Sequence, residues 1–186
     1  MTYTMKVAGL ERDLPLCKVS DDLYIGAFII FGDAELTVAC AGELLKRIPA
    51  DSYDYMLTAE AKSIPLIHEM ARQSGAKKYF LARKAPKLYM SGVFEVSVKS
   101  ITTAKEQTLY LDVTDAELMK GKKILLVDDV ISTGESLHAL EVLVEKAGGI
   151  IAGRMAILAE GEAQERPDLI YLEKLPVFHP DGTVMA

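Results

Sequence analysis

In Ile124-Leu125-Leu126-Val127-Asp128-Asp129-Val130-Ile131-Ser132-Thr133-Gly134-Glu135-Ser136, four aliphatic residues run straight into two adjacent carboxylates. A loop of hydroxyls with one glycine follows, and then a helical pattern begins. The aliphatic run has no polar alternation, as expected for a strand covered on both faces. It ends in a polar turn that feeds a helix N-terminus, where backbone N–H groups and the positive end of the helix dipole favour a phosphate. The paired acids just before that turn suit the hydroxyls of a sugar. Read together, the stretch describes a socket for a ribose 5-phosphate. Neighbouring side chains on an extended backbone point opposite ways, so the two acids are expected to do different jobs.

Working outward, the same rhythm repeats. Tyr53 to Thr58 reads as a short strand and Pro65 to Gln73 as a helix, with Pro65 at a first helical position and Gly75 placed to end it. Lys78 to Ala82 and Lys123 to Val127 are further strands. Leu137, Leu140, Val144 and Ala147 recur at helical spacing, Leu143 widens the stripe, and Gly148-Gly149 terminates it. Ile150 to Leu158 supplies another strand. Strands alternating with helices predict an α/β fold with a parallel sheet. Two regions depart from this. Phe94 to Ile101 and Thr108 to Leu111 are strand-like pieces joined by a polar connection, Thr102 to Gln107, which predicts a hairpin or long flap. The first 30 residues and the last 15 fit no alternation and are expected to pack as a small cap over the open sheet edge.

The chain has 186 residues, half of them hydrophobic and a quarter charged, which predicts one soluble globular domain. A net charge of -6 gives no nucleic-acid footprint. Cys17 and Cys40 belong to no metal or disulfide motif, and reduced cysteines in a cytoplasmic protein are expected. The longest nonpolar run, Tyr24 to Phe31, is too short to cross a bilayer, so no membrane is expected. His68, His138 and His179 have no identifiable carboxylate partner and read as structural. Other phosphate folds fail on missing parts. A P-loop needs Gly-x-x-x-x-Gly-Lys-Ser/Thr upstream, a dinucleotide fold needs Gly-x-Gly-x-x-Gly, and neither is present. A phospho-receiver would need a doubly wound domain after Asp129.

The stretch from Ile124 to Ser136 resembles the signature of type I phosphoribosyltransferases at every position of that pattern. The resemblance covers most of the chain and points to the purine branch, nearest a bacterial group described as adenine phosphoribosyltransferases. Thr58-Ala59-Glu60-Ala61-Lys62-Ser63-Ile64-Pro65 resembles the pyrophosphate loop. Leu81-Ala82-Arg83-Lys84 resembles the basic strand end that reaches the same group. Ser97 to Leu111 resembles the flexible flap, and Gly26 to Asp33 the hood segment that covers the purine. The implied fold is a parallel-sheet core flanked by helices, with a flap hairpin and a small hood. It makes one domain, 1–186, with the hood at about 1–33 and 160–186 and the core at about 34–159.

The resemblance also implies roles. Asp128 and Asp129 hold the ribose hydroxyls of 5-phosphoribosyl 1-pyrophosphate (PRPP), directly or through a Mg²⁺ carried by the donor rather than by a protein ligand set. Ser132, Thr133, Gly134, Glu135 and Ser136 wrap the 5-phosphate, through backbone N–H groups and the hydroxyls of Ser132, Thr133 and Ser136. Glu60, Ala61, Lys62 and Ser63 meet the pyrophosphate, with a non-proline cis peptide implied at Glu60–Ala61. Arg83 and Lys84 suit the same diphosphate, with Lys87 as a third cation. Asp129, Arg83 and Lys84 are the expected catalytic residues, and Ile30 and Phe31 the purine contacts.

The acceptor is read where the resemblance thins. The flap glutamate of adenine-specific members falls on Thr103, with Lys105 and Glu106 nearby. The lysine of 6-oxopurine members falls on Gly161, and Glu160 and Glu162 flank it. Adenine is therefore the expected acceptor, giving AMP and pyrophosphate. The alternatives are a xanthine, hypoxanthine or guanine phosphoribosyltransferase, or a non-catalytic PRPP-binding regulator. A homodimer is implied as well.

Overall fold

The structure is a computed structural model describing residues 1–99 and 106–185. The chain opens with a hairpin, β1 (Thr2–Val7) and β2 (Leu10–Lys18), followed by a short β3 (Tyr24–Gly26). Helix α1 (Ala34–Leu45) leads into β4 (Tyr55–Ala59), α2 (Ile64–Ser74) and β5 (Phe80–Ala82). A second hairpin, β6 (Val93–Lys99) and β7 (Glu106–Asp112), and helix α3 (Val113–Met119) precede β8 (Lys123–Ile131), α4 (Glu135–Lys146) and β9 (Ile150–Glu160). A 3-10 turn (Gly161–Glu165), β10 (Leu169–Leu175) and β11 (Val177–Phe178) close the fold.

The central sheet has the order β10-β9-β8-β4-β5, with every pair parallel. The predicted α/β class with a parallel core is therefore what the chain adopts. Strand β8 is covered on both sides, as its unbroken apolar run requires. Leu125 and Val127 enter a cluster with α1 (Leu36, Cys40, Leu44) and α2 (Leu66, Ile67, Met70). Ile124 and Leu126 enter the opposite cluster with α4 (Leu137, Leu140, Leu143, Val144) and the β6–β7 hairpin (Val96, Leu109, Leu111). Helix α2 ends at Gly75, whose φ of 75 lies in the left-handed region that favours glycine.

Outside this sheet the N-terminal segment is antiparallel β. Strands β1, β2, β3 and β11 form one sheet, so both ends of the described chain meet in it. The hairpin predicted between Phe94 and Leu111 is present, with Val96 opposite Leu109 and Phe94 opposite Leu111. The connection expected at Thr102 to Gln107 lies mostly outside the described residues, together with Thr103 and Lys105.

Strand order places the chemistry. From β4 the chain runs outward to β5, whereas from the adjacent β8 it runs outward through β9 to β10. Between β4 and β8 the winding reverses, and in open parallel sheets ligands bind outside the carboxyl ends of the strands at such a point. Two loops leave the sheet there, Glu60–Ser63 after β4 and Ser132–Gly134 after β8.

Candidate active site

The two loops are joined by one hydroxyl. Ser63 Oγ lies 2.6 Å from Asp128 Oδ1 and 3.2 Å from Asp129 Oδ1, and it accepts the Asp129 N–H at 2.8 Å. Ser63 is the N-cap of α2, yet its side chain makes no cap hydrogen bond, because its hydroxyl is turned to the acids. The expectation that the two carboxylates point opposite ways is thereby corrected. Asp128 folds back to accept its neighbour's N–H at 2.9 Å, so both carboxylates reach the same serine.

Their environments still differ. Asp129 is buried, and its Oδ2 stands 3.0 Å from Lys62 Nζ in an ion pair that lacks hydrogen-bond alignment. Asp128 is partly exposed at its rim. Its carboxyl is pushed well above the usual range, first by burial and then by the charge of Asp129.

Glu60 turns its carboxylate toward the basic strand end. Its carboxylate takes the Lys84 backbone N–H at 2.7 Å and stands 2.8 Å from Arg83 Nε, again without hydrogen-bond alignment. A carboxylate facing a diphosphate would repel it. Turned sideways, it clamps the basic strand end to the loop. The Glu60–Ala61 peptide is cis, as implied by the resemblance. Arg83 also exchanges backbone hydrogen bonds with Tyr110 of β7, at 2.8 and 2.9 Å, which ties the hairpin to the site. Lys84 is exposed and Lys87 partly so.

The second loop feeds α4. Gly134 caps the helix at φ 79 with no side-chain cap, and a Cβ there would stand 3.1 Å from Arg166 Nη1. Thr133 and Ser136 are exposed, and Glu135 N–H reaches Thr133 Oγ1 at 3.5 Å. Ser132 is half-buried, and the pairing of Ile131 with Ala159 sets it beside Glu160 at the end of β9. At the hood, Phe31 is half-exposed, but Ile30 is sealed in the core and can meet a ligand only through its backbone.

Sequence reasoning did not find the Ser63 bridge, the Glu60 clamp or the Ser132–Glu160 contact. All three depend on how separate loops cross. The signal available was only that Ser63, Glu60 and Glu160 sit at ends of β4 and β9 beside the same crevice.

The chain resembles known proteins in this same region. Residues 38–179 match the family described as "Phosphoribosyl transferase domain". The chain belongs to this family. The matched span holds both crevice loops, β9 and the strand end at Arg83. A hypoxanthine/guanine phosphoribosyltransferase of Methanotorris igneus is 30% identical over 67% of this chain, which spans 64% of that relative's length. An adenine phosphoribosyltransferase of Brachyspira hyodysenteriae is 27% identical over 73% of this chain and 74% of its own. Among solved structures, the APRTase of Giardia lamblia complexed with 9-deazaadenine covers 94% of this chain and 93% of its own. Its TM-score is 0.61 at 19% identity, a likeness of fold.

Proposed function

We propose that this phosphoribosyltransferase transfers the 5-phosphoribosyl group of PRPP to a purine base, adenine in preference to others, releasing pyrophosphate. The observation that carries this reading is the convergence, through Ser63, of a basic loop and a paired-acid loop at one crevice.

The donor's 5-phosphate sits at the α4 N-terminus, where the loop amides and the helix dipole favour it. Its hydroxyls meet Asp128 and Asp129, and its diphosphate takes Lys62, displacing the ammonium from Asp129. As the bond from C1 to the diphosphate breaks, the sugar gains oxocarbenium character and the leaving group gains negative charge. Lys62 and the Arg83–Lys84 strand end are held beside that charge before the reaction begins, which is where preorganised cations act most strongly. A Mg²⁺ carried by the donor would be met by Asp128 and Asp129 only through its shell. When bound, Mg²⁺ would neutralise diphosphate charge.

Acceptor choice rests on the end of β9. Glu160 and Glu162 flank Gly161 there, and no cation stands among these residues to meet a 6-oxygen. A carboxylate suits a base that presents N–H donors. The second reading, a 6-oxopurine acceptor, is favoured by the hypoxanthine/guanine relative. Adenine, hypoxanthine, guanine and xanthine should be supplied separately and in competition, with PRPP and Mg²⁺, and nucleotide formation followed. Preferential AMP formation is expected. Preferential IMP, GMP or XMP would select the second reading, and PRPP binding without turnover of any base would leave only a regulator. The homodimer belongs to the same proposal. It is supported by the exposure of Leu88 and Tyr89 just beyond the basic strand end, and light scattering should return twice the chain mass.

A further inference from the structure

Among the described residues, the buried polar and charged side chains are Thr37, Thr58, Ser63, Glu69, Asp129 and Glu160. Glu69 is neutralised on its own helix by Arg72. Glu160, by contrast, is buried with no cation in hydrogen-bonding contact among the described residues, and above it entered only through acceptor choice, with no role in the bond changes.

Its position is informative. Glu160 is the last residue of β9, paired in register with Leu175 of β10. Leu175 in turn stands beside Gly26 of β3, where a Cβ would lie 3.4 Å from its Cδ1. The carboxylate thus lies at the seam between the parallel sheet and the antiparallel sheet. On its other side β9 runs beside β8 with Ala159 opposite Ile131, so Glu160 lies next to Ser132, the first residue of the phosphate loop, and it feels the charge of Lys62 from the diphosphate loop. One group next to both loops lies alongside the sugar that must span them, close to the carbon where the bonds change. A purine joined through N9 puts its imidazole ring near that carbon.

Resting on the transferase reading above, we propose that Glu160, oriented by Ser132, is the proton acceptor for the imidazole N–H of the purine. The chemistry requires such a group. As N9 bonds to C1, the C1–O bond breaks and its electron pair leaves with pyrophosphate. The imidazole, now bonded at N9, still carries the proton on N7 and is cationic. That proton passes to the Glu160 carboxylate, the ring becomes neutral, and the proton is later released to water, so the reaction yields nucleotide, pyrophosphate and one H⁺. Burial raises the carboxyl of Glu160 above its ordinary range, while the Ser132 hydroxyl and then the charge of Lys62 oppose the rise. A base poised nearer to working pH is a better proton acceptor. Of the other elements around it, β10 presents the apolar Leu175, and the neighbouring Glu162 and Glu165 are exposed to solvent.

The test is Glu160→Gln, with Glu160→Asp and Ser132→Ala beside it. For Glu160→Gln, kcat should fall about 10²-fold or more, with PRPP affinity measured by calorimetry unchanged. The acidic limb of the wild-type kcat–pH profile, to which Asp128 also contributes, should lose one ionisation in Glu160→Gln and regain it in Glu160→Asp. In Ser132→Ala the limb should move to higher pH, because the hydroxyl that favours the charged form is gone; this variant keeps the test open if Glu160→Gln does not fold. An unchanged limb in Glu160→Gln overturns the assignment, as does a loss confined to the KM of the base, the mark of a recognition contact. Failure of the wild type to turn over any purine overturns the transferase reading itself.

Discussion

At Asp129, function and stability pull in opposite directions. The carboxylate is buried and its charge is met by the Ser63 hydroxyl and by a Lys62 ammonium that is itself half in solvent. Desolvating a charge costs several kcal/mol, and one imperfectly aligned ion pair returns only part of it. Asp129→Asn keeps the shape and removes the charge. Turnover should therefore drop by about 10²-fold or more, the scale of losing one preorganised electrostatic contact, while the melting temperature should hold or rise. Steady-state kinetics and scanning calorimetry on the same preparation check both halves. Retained turnover would remove Asp129 from the mechanism, and a large fall in melting temperature would mean that its charge holds the loops together.

At the level of elements, the phosphate loop depends on one backbone conformation. Gly134 has φ 79, which a β-branched residue adopts only at a cost, and a side chain there would also press on Arg166, 3.1 Å from its Cβ. Gly134→Val should raise the KM for PRPP about tenfold or more while circular dichroism of the folded chain stays native, since α4 is anchored below the loop by Leu137, Leu140 and Val144. A native KM would show that the loop tolerates a side chain facing Arg166. This loop was legible in the sequence because strand, acids, glycine and helix are contiguous, and the same holds for β4–α2 and β9. Helix α1 was missed although Asp33 caps it by accepting the Leu36 N–H at 3.0 Å and Leu36, Cys40 and Leu44 follow at helical spacing. Strand β1 alternates polar and apolar residues from Thr2 to Val7 and pairs with β2 across the two-residue turn Ala8–Gly9, a local hairpin signal that was missed as well. In the site, the contiguous acids could be read, whereas the turn of Glu60 toward Arg83 and of Ser132 toward Glu160 comes from packing between loops that sequence spacing does not encode.

For the whole molecule, the question is whether the antiparallel sheet can move as a unit on the parallel one. Its inner residues, Met5, Val7 and Leu14, share one apolar cluster with Leu125 and Val127 of β8 and with Leu172 and Leu175 of β10. Strand β11 then ties the C-terminal segment to β3, and the fully buried Phe178 stacks on Tyr3 with ring centroids 4.9 Å apart. A continuous core has no low-cost plane on which to open, so the two sheets should unfold together. Phe178→Ala removes a large buried ring and should lower unfolding free energy by about 3–5 kcal/mol. If the core is continuous, urea unfolding should stay a single transition with its midpoint lowered. Amides of β3 and of β9 should then lose exchange protection together. Loss of protection in β3 alone, with β9 unchanged, would mean that the antiparallel sheet opens independently. It would also place the seam where Glu160 sits under the control of that motion rather than of fixed packing.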